Sequence, residues 1–325
     1  MEFRTHALQL PADYAGLRLD QALARALPQY SRARLQSWIE AGAVQVDGRA
    51  PRSKDKVLGG EQVQIEAQLE VQTEVAAEKQ PIDVVHKDGA IFVINKPAGW
   101  VVHPGAGNPG KTLQNALLAL DPKLALVPRA GLVHRLDKDT SGLLVVARTV
   151  EAHASLVAAL AARELGRQYL AICSGVMTGG RTVDEPIGRH RTLRTRMDVR
   201  HDGRDAVTHF RLVQRFRAHT LVRAELETGR THQIRVHLAH IGYPIVGDQV
   251  YGGRLRIPPG ATSLAADLRA MKRQALHAAH LSLAHPTTGN ELSWDAPIPE
   301  DMTQLLAALE RDQAEATEIA RRGLS

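Results

Sequence analysis

Val207-Thr208-His209-Phe210-Arg211-Leu212-Val213 and, after a short turn, Thr220-Leu221-Val222-Arg223-Ala224-Glu225-Leu226 decide how this chain folds. Both stretches alternate apolar with polar side chains, the period of a strand with one face buried and one wet. Strands of that kind belong to antiparallel sheets, because parallel sheets are covered on both faces and read as unbroken apolar runs. Two unbroken runs do occur upstream, Ile91-Phe92-Val93-Ile94 and Leu143-Leu144-Val145-Val146, and they read as buried strands. Residues 152–162 read as helix. The strands cluster with few regular helical crossovers, so the fold class is α+β rather than a doubly wound parallel sheet.

The first segment reads differently. Ser31 is placed to cap a helix that continues to Ala41, with Leu35, Trp38 and Ile39 at helical spacing toward a core. Arg32 and Gln36 stand one turn apart on another face. Gly42 ends the helix, Val44-Gln45-Val46 alternates as a strand, Asp47-Gly48 signals a tight turn, and Gln62-Val63-Gln64-Ile65 alternates again. Arg18-Leu19-Asp20, Ser31-Arg32-Ala33-Arg34 and Val44-Gln45-Val46-Asp47-Gly48-Arg49 together resemble the S4 RNA-binding domain. The resemblance implies a helix end docked on RNA, with Arg18, Ser31, Arg32 and Arg34 as contacts. Free backbone amides and cations at a helix N-terminus point the same way, which suits phosphate. A polar stretch follows without helical or strand period, and it reads as a linker that leaves the two units free to move.

The chain has 325 residues, enough for two domains, and 41 basic against 35 acidic side chains give a net charge of +6. Arg181–Arg217 holds ten arginines and no lysines against five acids, with Arg189, Arg191, Arg194 and Arg196 close together. The planar guanidinium fork matches phosphate oxygens and stacks on bases. Composition leaves open whether this is a polyanion footprint or a solvated basic face. The single cysteine, Cys173, lies in a strand-like run and reads as a small buried hydrophobe. No apolar run approaches the ~20 residues of a membrane span, and the N-terminus lacks a secretory pattern, so a cytoplasmic location is expected.

Gly131-Leu132-Val133-His134-Arg135-Leu136-Asp137-Lys138-Asp139-Thr140-Ser141-Gly142 is a charged stretch leading directly into a buried strand, a favoured place for function. Asp137 is flanked by Arg135 and Lys138, whose charge favours the ionised carboxylate. The sequence from His134 to Gly142 resembles the signature of the RluA-type pseudouridine synthases. Ile94-Asn95-Lys96-Pro97-Ala98-Gly99-Trp100-Val101-Val102-His103-Pro104, Arg167-Gln168-Tyr169-Leu170 and Glu227-Thr228-Gly229-Arg230-Thr231-His232-Gln233-Ile234-Arg235-Val236-His237 resemble its companion motifs in the same order. The likeness is strongest to the D-type synthases of the ribosomal large subunit.

That resemblance implies a mixed, mainly antiparallel sheet with flanking helices and a central cleft. The expected boundaries are an S4-like unit over 12–70, a linker over 71–80, a catalytic unit over 81–315 and a flexible tail over 316–325. Asp137 is implied as the nucleophile, an unperturbed aspartate being ionised at neutral pH with a pKa of about 3.9. Arg235 is implied as its orienting partner, with Arg230 the second choice. Tyr169 is implied to stack on the target uracil and to help remove its C5 proton. Arg135 is implied to fill the space left by a flipped nucleotide, and His134 to contribute a supporting hydrogen bond. Arg191, Arg194 and Arg196 are implied RNA contacts. The implied partner is 23S rRNA, the large subunit or its precursor, and a monomer acting away from any membrane is expected.

No cofactor and no metal are expected. His232, His237 and His240 form a histidine cluster, but no carboxylate or cysteine stands at ligand spacing with them. A glycosidase would also use a carboxylate at an anomeric carbon, but with a second carboxyl group as acid. A non-catalytic RNA-binding assembly factor is the other alternative; loss of activity without loss of RNA affinity on changing Asp137 separates it from an enzyme.

Overall fold

A computed structural model describes residues 3–68, 75–105, 107–193 and 195–322. The N-terminal unit comprises β1 (Phe3–Gln9), α1 (Leu19–Ala26), α2 (Arg32–Glu40), β2 (Val44–Val46) and β3 (Gln62–Gln68). Its strands form an antiparallel sheet in the order β1-β3-β2. Ser31 caps α2 by accepting the Arg34 amide at 3.3 Å. Leu35, Trp38 and Ile39 then face Leu19, Leu23, Val44, Val63 and Ile65, and together they form a core of their own. Truncating a fully buried leucine such as Leu35 to alanine would cost about 2–5 kcal/mol. The Asp47-Gly48 turn forms with both residues at positive φ, but the chain wanders before β3 completes the pairing with β2.

The remaining elements are β4 (Asp83–Lys87), β5 (Ile91–Lys96), α3 (Leu113–Leu120), β6 (Ser141–Ala147), α4 (Val150–Ala161), β7 (Gly166–Ser174), β8 (Arg181–Asp184), β9 (Ile187–Arg189) and β10 (Met197–Val199). After them come β11 (Val207–Arg215), β12 (His219–Leu226), α5 (Gln233–His240), α6 (Thr262–Ala270), β13 (Leu276–Ala284), β14 (Glu291–Asp295) and α7 (Glu300–Arg322). Among the described residues nine strands join one sheet, in the order β4-β5-β6-β13-β7-β12-β11-β8 with β14 beside β13. Only the β6–β13 pairing is parallel there, so the sheet is mixed and mainly antiparallel. The two unbroken apolar runs lie in β5 and β6; every residue of β6 is buried. At the parallel pairing Gly142 takes φ +112°, and a Cβ there would lie 2.2 Å from the Ala278 carbonyl oxygen, so only glycine lets β13 approach. Cys173 is fully buried in β7, and burial pushes its thiol up to about 12.

Three boundaries differ from expectation. The N-terminal sheet starts at Phe3, outside the stretch assigned to that unit; β1 has no fully buried face to give it a legible period. Of the expected linker, residues 71–74 lie outside the described residues. Residues 75–80 lie along α3, with Glu78 accepting the Lys111 amide at 3.1 Å and Asn115 donating to the Ala76 carbonyl at 2.8 Å. The expected flexible tail is helical through Arg322, with residues 323–325 outside the described residues. Its alanines and glutamates are strong helix formers, acidic residues open α7, and Arg322 pairs with Glu318 one turn back. The two units also touch: Val150 of α4 joins the N-terminal core, and Arg4 reaches Glu151 at 3.8 Å.

Candidate active site

The loop before β6, the cleft-facing side of β7 and the N-terminal half of α5 enclose a cleft of about 670 Å³. Its lining includes Asp137, His134, Arg135, Arg167, Tyr169, Arg230, His232 and Arg235. Three regions distant in sequence therefore converge, each presenting one of the motifs singled out above.

The loop carrying Asp137 is held from several sides. The fully buried Lys96 ammonium donates to the carbonyls of Pro97, Trp100 and Lys138 at 2.8, 3.0 and 3.0 Å. Burial pushes it down to about 7, against the pull of Asp139 and Asp137. Arg273 donates to the Asp139 carbonyl at 3.2 Å, and Gln274 to the Thr140 hydroxyl at 3.1 Å. These bonds fix the backbone on either side of Asp137 without engaging its carboxylate.

The carboxylate is met by α5. Arg235 donates from Nη1 to Asp137 Oδ2 at 3.0 Å. Its remaining edge is clamped by Asp248, with Nε–Oδ2 at 2.7 Å and Nη2–Oδ1 at 2.9 Å. Asp248 also accepts the amides of Val250 and Tyr251, at 2.9 and 3.0 Å. Burial pushes the Asp248 carboxyl up, but Arg235 and those two amides outweigh it and hold the group below the usual range. Arg235 is itself desolvated, yet Asp248 and Asp137 raise its pKa further. The guanidinium lies 5.1 Å from the centre of the Tyr251 ring, and the Tyr251 hydroxyl bonds His232 Nδ1 at 2.9 Å and accepts the Met197 amide at 2.8 Å. Asp137 Oδ1 accepts no hydrogen bond from a described residue; His232 Nε2 lies 3.9 Å from it. Burial lowers the His232 pKa, so the imidazole is neutral at neutral pH.

Arg230 does not reach Asp137. Its Nε donates to the Asp205 carbonyl at 2.8 Å, on the cleft wall. Tyr169 is buried, and burial followed by the Asp137 charge pushes its hydroxyl up, against the Arg167 cation. It is therefore neutral at neutral pH, which favours stacking over service as a phenolate base. Arg135 is exposed at the cleft edge. His134 accepts the Val145 amide on Nε2 at 3.1 Å, and burial pushes it down to about 3. His237 is buried between the Thr208 hydroxyl and the Glu185 carbonyl, away from His232.

The other proposed RNA contacts divide. Arg18 and Arg32 both pair with Asp20, at 3.0 and 2.8 Å, and Gln36 donates to the same carboxylate at 2.5 Å. Ser31 is exposed, and Arg34 is half-buried. Arg191 is exposed on the β9–β10 hairpin, Arg196 lies 5.1 Å from the centre of the Tyr251 ring, and Arg194 falls outside the described residues. Arg200, Arg215 and Arg217 are engaged by Asp202, by the Met177 and Thr178 carbonyls, and by Asp312. The basic cluster is thus partly structural. Sequence reading missed Lys96, Asp248, Tyr251 and Gln274; the one signal for them was that Lys96 lies inside a quoted motif.

Comparison with known proteins agrees with this geometry. A family model described as RNA pseudouridylate synthase matches residues 90–240, and an S4 domain model matches residues 17–63. The chain is 55% identical over 314 residues to a protein of Xanthomonas campestris named ribosomal large subunit pseudouridine synthase D, covering 96% of this chain and 95% of that one. It is 56% identical over 302 residues to the protein of the same name from Yersinia pestis, covering 92% and 93%. The solved structure of human RNA pseudouridylate synthase domain containing 4 superposes with a TM-score of 0.57 at 27% identity, covering 70% of this chain and 93% of that one. With a motif-bearing cleft, an S4 domain and relatives alike over nearly its whole length, the chain belongs to the pseudouridine synthase family and is a pseudouridine synthase.

Proposed function

We propose that this enzyme converts uridines to pseudouridine in the 23S RNA of the large ribosomal subunit, at more than one position in a stem-loop. The names of its relatives motivate the substrate. One observation carries the chemistry: Asp137 has one carboxylate oxygen held by Arg235 and the other unbonded, in a cleft shared with Tyr169. An aimed, ionised carboxylate with a free lone pair suits attack on, or stabilisation of, an electron-poor centre.

The target uridine leaves its stack, at a cost of about a few kcal/mol, and enters the cleft. Tyr169 stacks on the base, and exposed Arg135 takes the space the nucleotide vacates. The bond from N1 to C1′ breaks, the base turns, and C5 joins C1′ with loss of the C5 proton. Arg235 keeps Asp137 aimed throughout, anchored by Asp248. Ser31, Arg34, Arg191, Arg194 and Arg196 touch RNA phosphates, as do the outward edges of Arg18 and Arg32. We further infer a cytoplasmic monomer that needs no cofactor. Residues 12–70 and 81–315 are taken as the RNA-binding and catalytic units. A glycosidase reading is disfavoured because Asp248, the carboxylate that shares Arg235 with Asp137, is held ionised and so supplies no general acid.

The test is to map pseudouridines in 23S RNA from cells with the protein, without it, and with only Asp137→Ala. Sites that vanish in the last two support the reading. Sites unchanged without the protein, or restored by Asp137→Ala, overturn it.

A further inference from the structure

Arg167 is an arginine that the fold buries and then leaves without a partner. Only 8% of the residue is exposed, yet it makes no hydrogen bond or ion pair with any described residue, and its Nε is wholly enclosed. Among the described residues the other buried arginine, Arg235, is engaged by two carboxylates. An enclosed cation without a counter-charge costs several kcal/mol, so its retention calls for a ligand.

The position of Arg167 says which ligand. It stands two residues before Tyr169 on β7, so both side chains leave the same face of the strand and line the cleft. Its guanidinium lies against Gly229; a Cβ there would come within 2.9 Å of Nη1, so glycine makes the room. His134 is its neighbour. The Nε2 of His134 accepts the Val145 amide, which leaves the proton on Nδ1, and Nδ1 is enclosed with no partner. The Arg167 charge is close enough to add to burial in keeping His134 neutral. A cation and a neutral N–H donor, both unspent, thus belong to residues that line the same cleft as the ring on which the base is expected to stack. Phosphates belong at the rim, near exposed Arg135; what reaches this depth is the base.

Charge counting points the same way. Asp137, Asp248 and Arg235 are bonded together, and two carboxylates with one guanidinium sum to a net charge of −1. When the bond from C1′ to N1 breaks, both electrons remain on N1. The base becomes uracilate, with its charge spread over O2 and O4, while C1′ is left electron-poor toward Asp137. Uracilate would meet a cluster that is already negative. Of the cleft-lining arginines that no described carboxylate or carbonyl engages, Arg129 and Arg135 are exposed and Arg167 is the buried one, two residues from Tyr169.

We propose that Arg167, assisted by His134 Nδ1–H, binds the detached base as uracilate and so stabilises the leaving group of the first step. When C5 attacks C1′, the C5–C6 π pair forms the new bond while the N1 pair moves into an N1–C6 double bond; loss of the C5 proton then restores the C5–C6 double bond and N1 takes up a proton, so the anion exists only between cleavage and re-formation. This rests on the pseudouridine reading above.

The test compares leaving groups. The 23S fragment containing the mapped uridine is made with uridine or 5-fluorouridine at that position; fluorine makes the base a more stable anion and blocks the final C5 deprotonation. Single-turnover loss of the N1–C1′ bond is followed for the wild type, Arg167→Met and Arg167→Lys, beside RNA affinity and its salt dependence. On uridine, Arg167→Met is expected to slow cleavage by about 100-fold, as loss of a charge-stabilising donor does, with affinity within about threefold. On 5-fluorouridine the deficit is expected to shrink by about tenfold, and Arg167→Lys to recover part of the rate by restoring charge. An equal deficit on both bases, or a loss confined to affinity and its salt slope, overturns the assignment. If Arg167→Met does not fold, the same comparison with Arg167→Lys decides. A wild type inactive on uridine, or an active Asp137→Ala, defeats the pseudouridine reading instead.

Discussion

Two aspartates of this protein are each gripped by arginine, and the difference between them separates scaffold from reagent. Asp20 in the N-terminal unit has a fully enclosed side chain, with Arg18, Arg32 and Gln36 all donating to it. Nothing of that carboxylate is left for another molecule, and the arginines turn their remaining edges outward. Asp137 has a side chain 15% exposed, one bonded oxygen, and one arginine that is itself restrained by a second carboxylate. The first carboxylate is a saturated anchor. The second is aimed and left unsaturated, which fits the nucleophile role proposed for it.

Experiments that interfere with each cluster should therefore diverge. The largest effect is expected at Asp137 itself: Asp137→Ala should lower single-turnover pseudouridine formation by about 10,000-fold or more while RNA affinity holds within several-fold. Next comes the anchor of its partner. Asp248→Ala frees Arg235 to swing, and the rate should drop by about 100-fold with little change in affinity, as expected for misplacement of a positioned group. A variant with wild-type rate would show that the Arg235 clamp is dispensable.

The counterpart at Asp20 should spare catalysis and harm folding. Asp20→Ala removes charge-assisted bonds and should destabilise the protein by about 2 kcal/mol in urea titrations. Here pH adds a sharper test. Burial pushes the Asp20 carboxyl up, but the bonds from Arg32, Gln36 and Arg18 outweigh it and lower its folded pKa. A depressed folded value means the stabilisation is complete above the unfolded pKa, about 3.9, and disappears as pH falls through the folded one. The gap between wild type and Asp20→Ala should be constant near neutrality and close below about pH 4. A gap independent of pH down to 2 would deny the ion pairing. The smallest effect is expected on the hairpin: Arg191→Gln should weaken RNA binding several-fold and reduce the slope of log affinity against log salt by about 1.

The same contrast explains what the sequence made legible. The strand period of β11 and β12, the Ser31 cap and the α4 helix are written locally, within a few residues, and could be read directly. So could the charged loop before β6, although its catalytic weight came from resemblance to a known signature. The pairing of Asp137 with Arg235 spans 98 residues and is made by the fold, so sequence left Arg230 as a competitor. Asp248 was invisible because its role depends on where α5 ends. The basic patches were legible as charge but not as allegiance: Arg18, Arg32, Arg200 and Arg217 spend part of their charge on the protein's own acids. The last turns of α7, from residue 316, were read as a tail because no buried residue beyond Asp312 marks them.

The strand β13 is made late in synthesis, yet it is inserted between β6 and β7, at the middle of the sheet and beside the loop that presents Asp137. A nascent chain that has emerged only through α5 has every motif singled out above but a sheet split in two. Closing it demands pairing across a long separation in sequence, the slow kind of contact. Maturation is thereby tied to translation: the enzyme cannot complete its sheet beside the cleft, and so cannot modify RNA, until the ribosome producing it has passed β13.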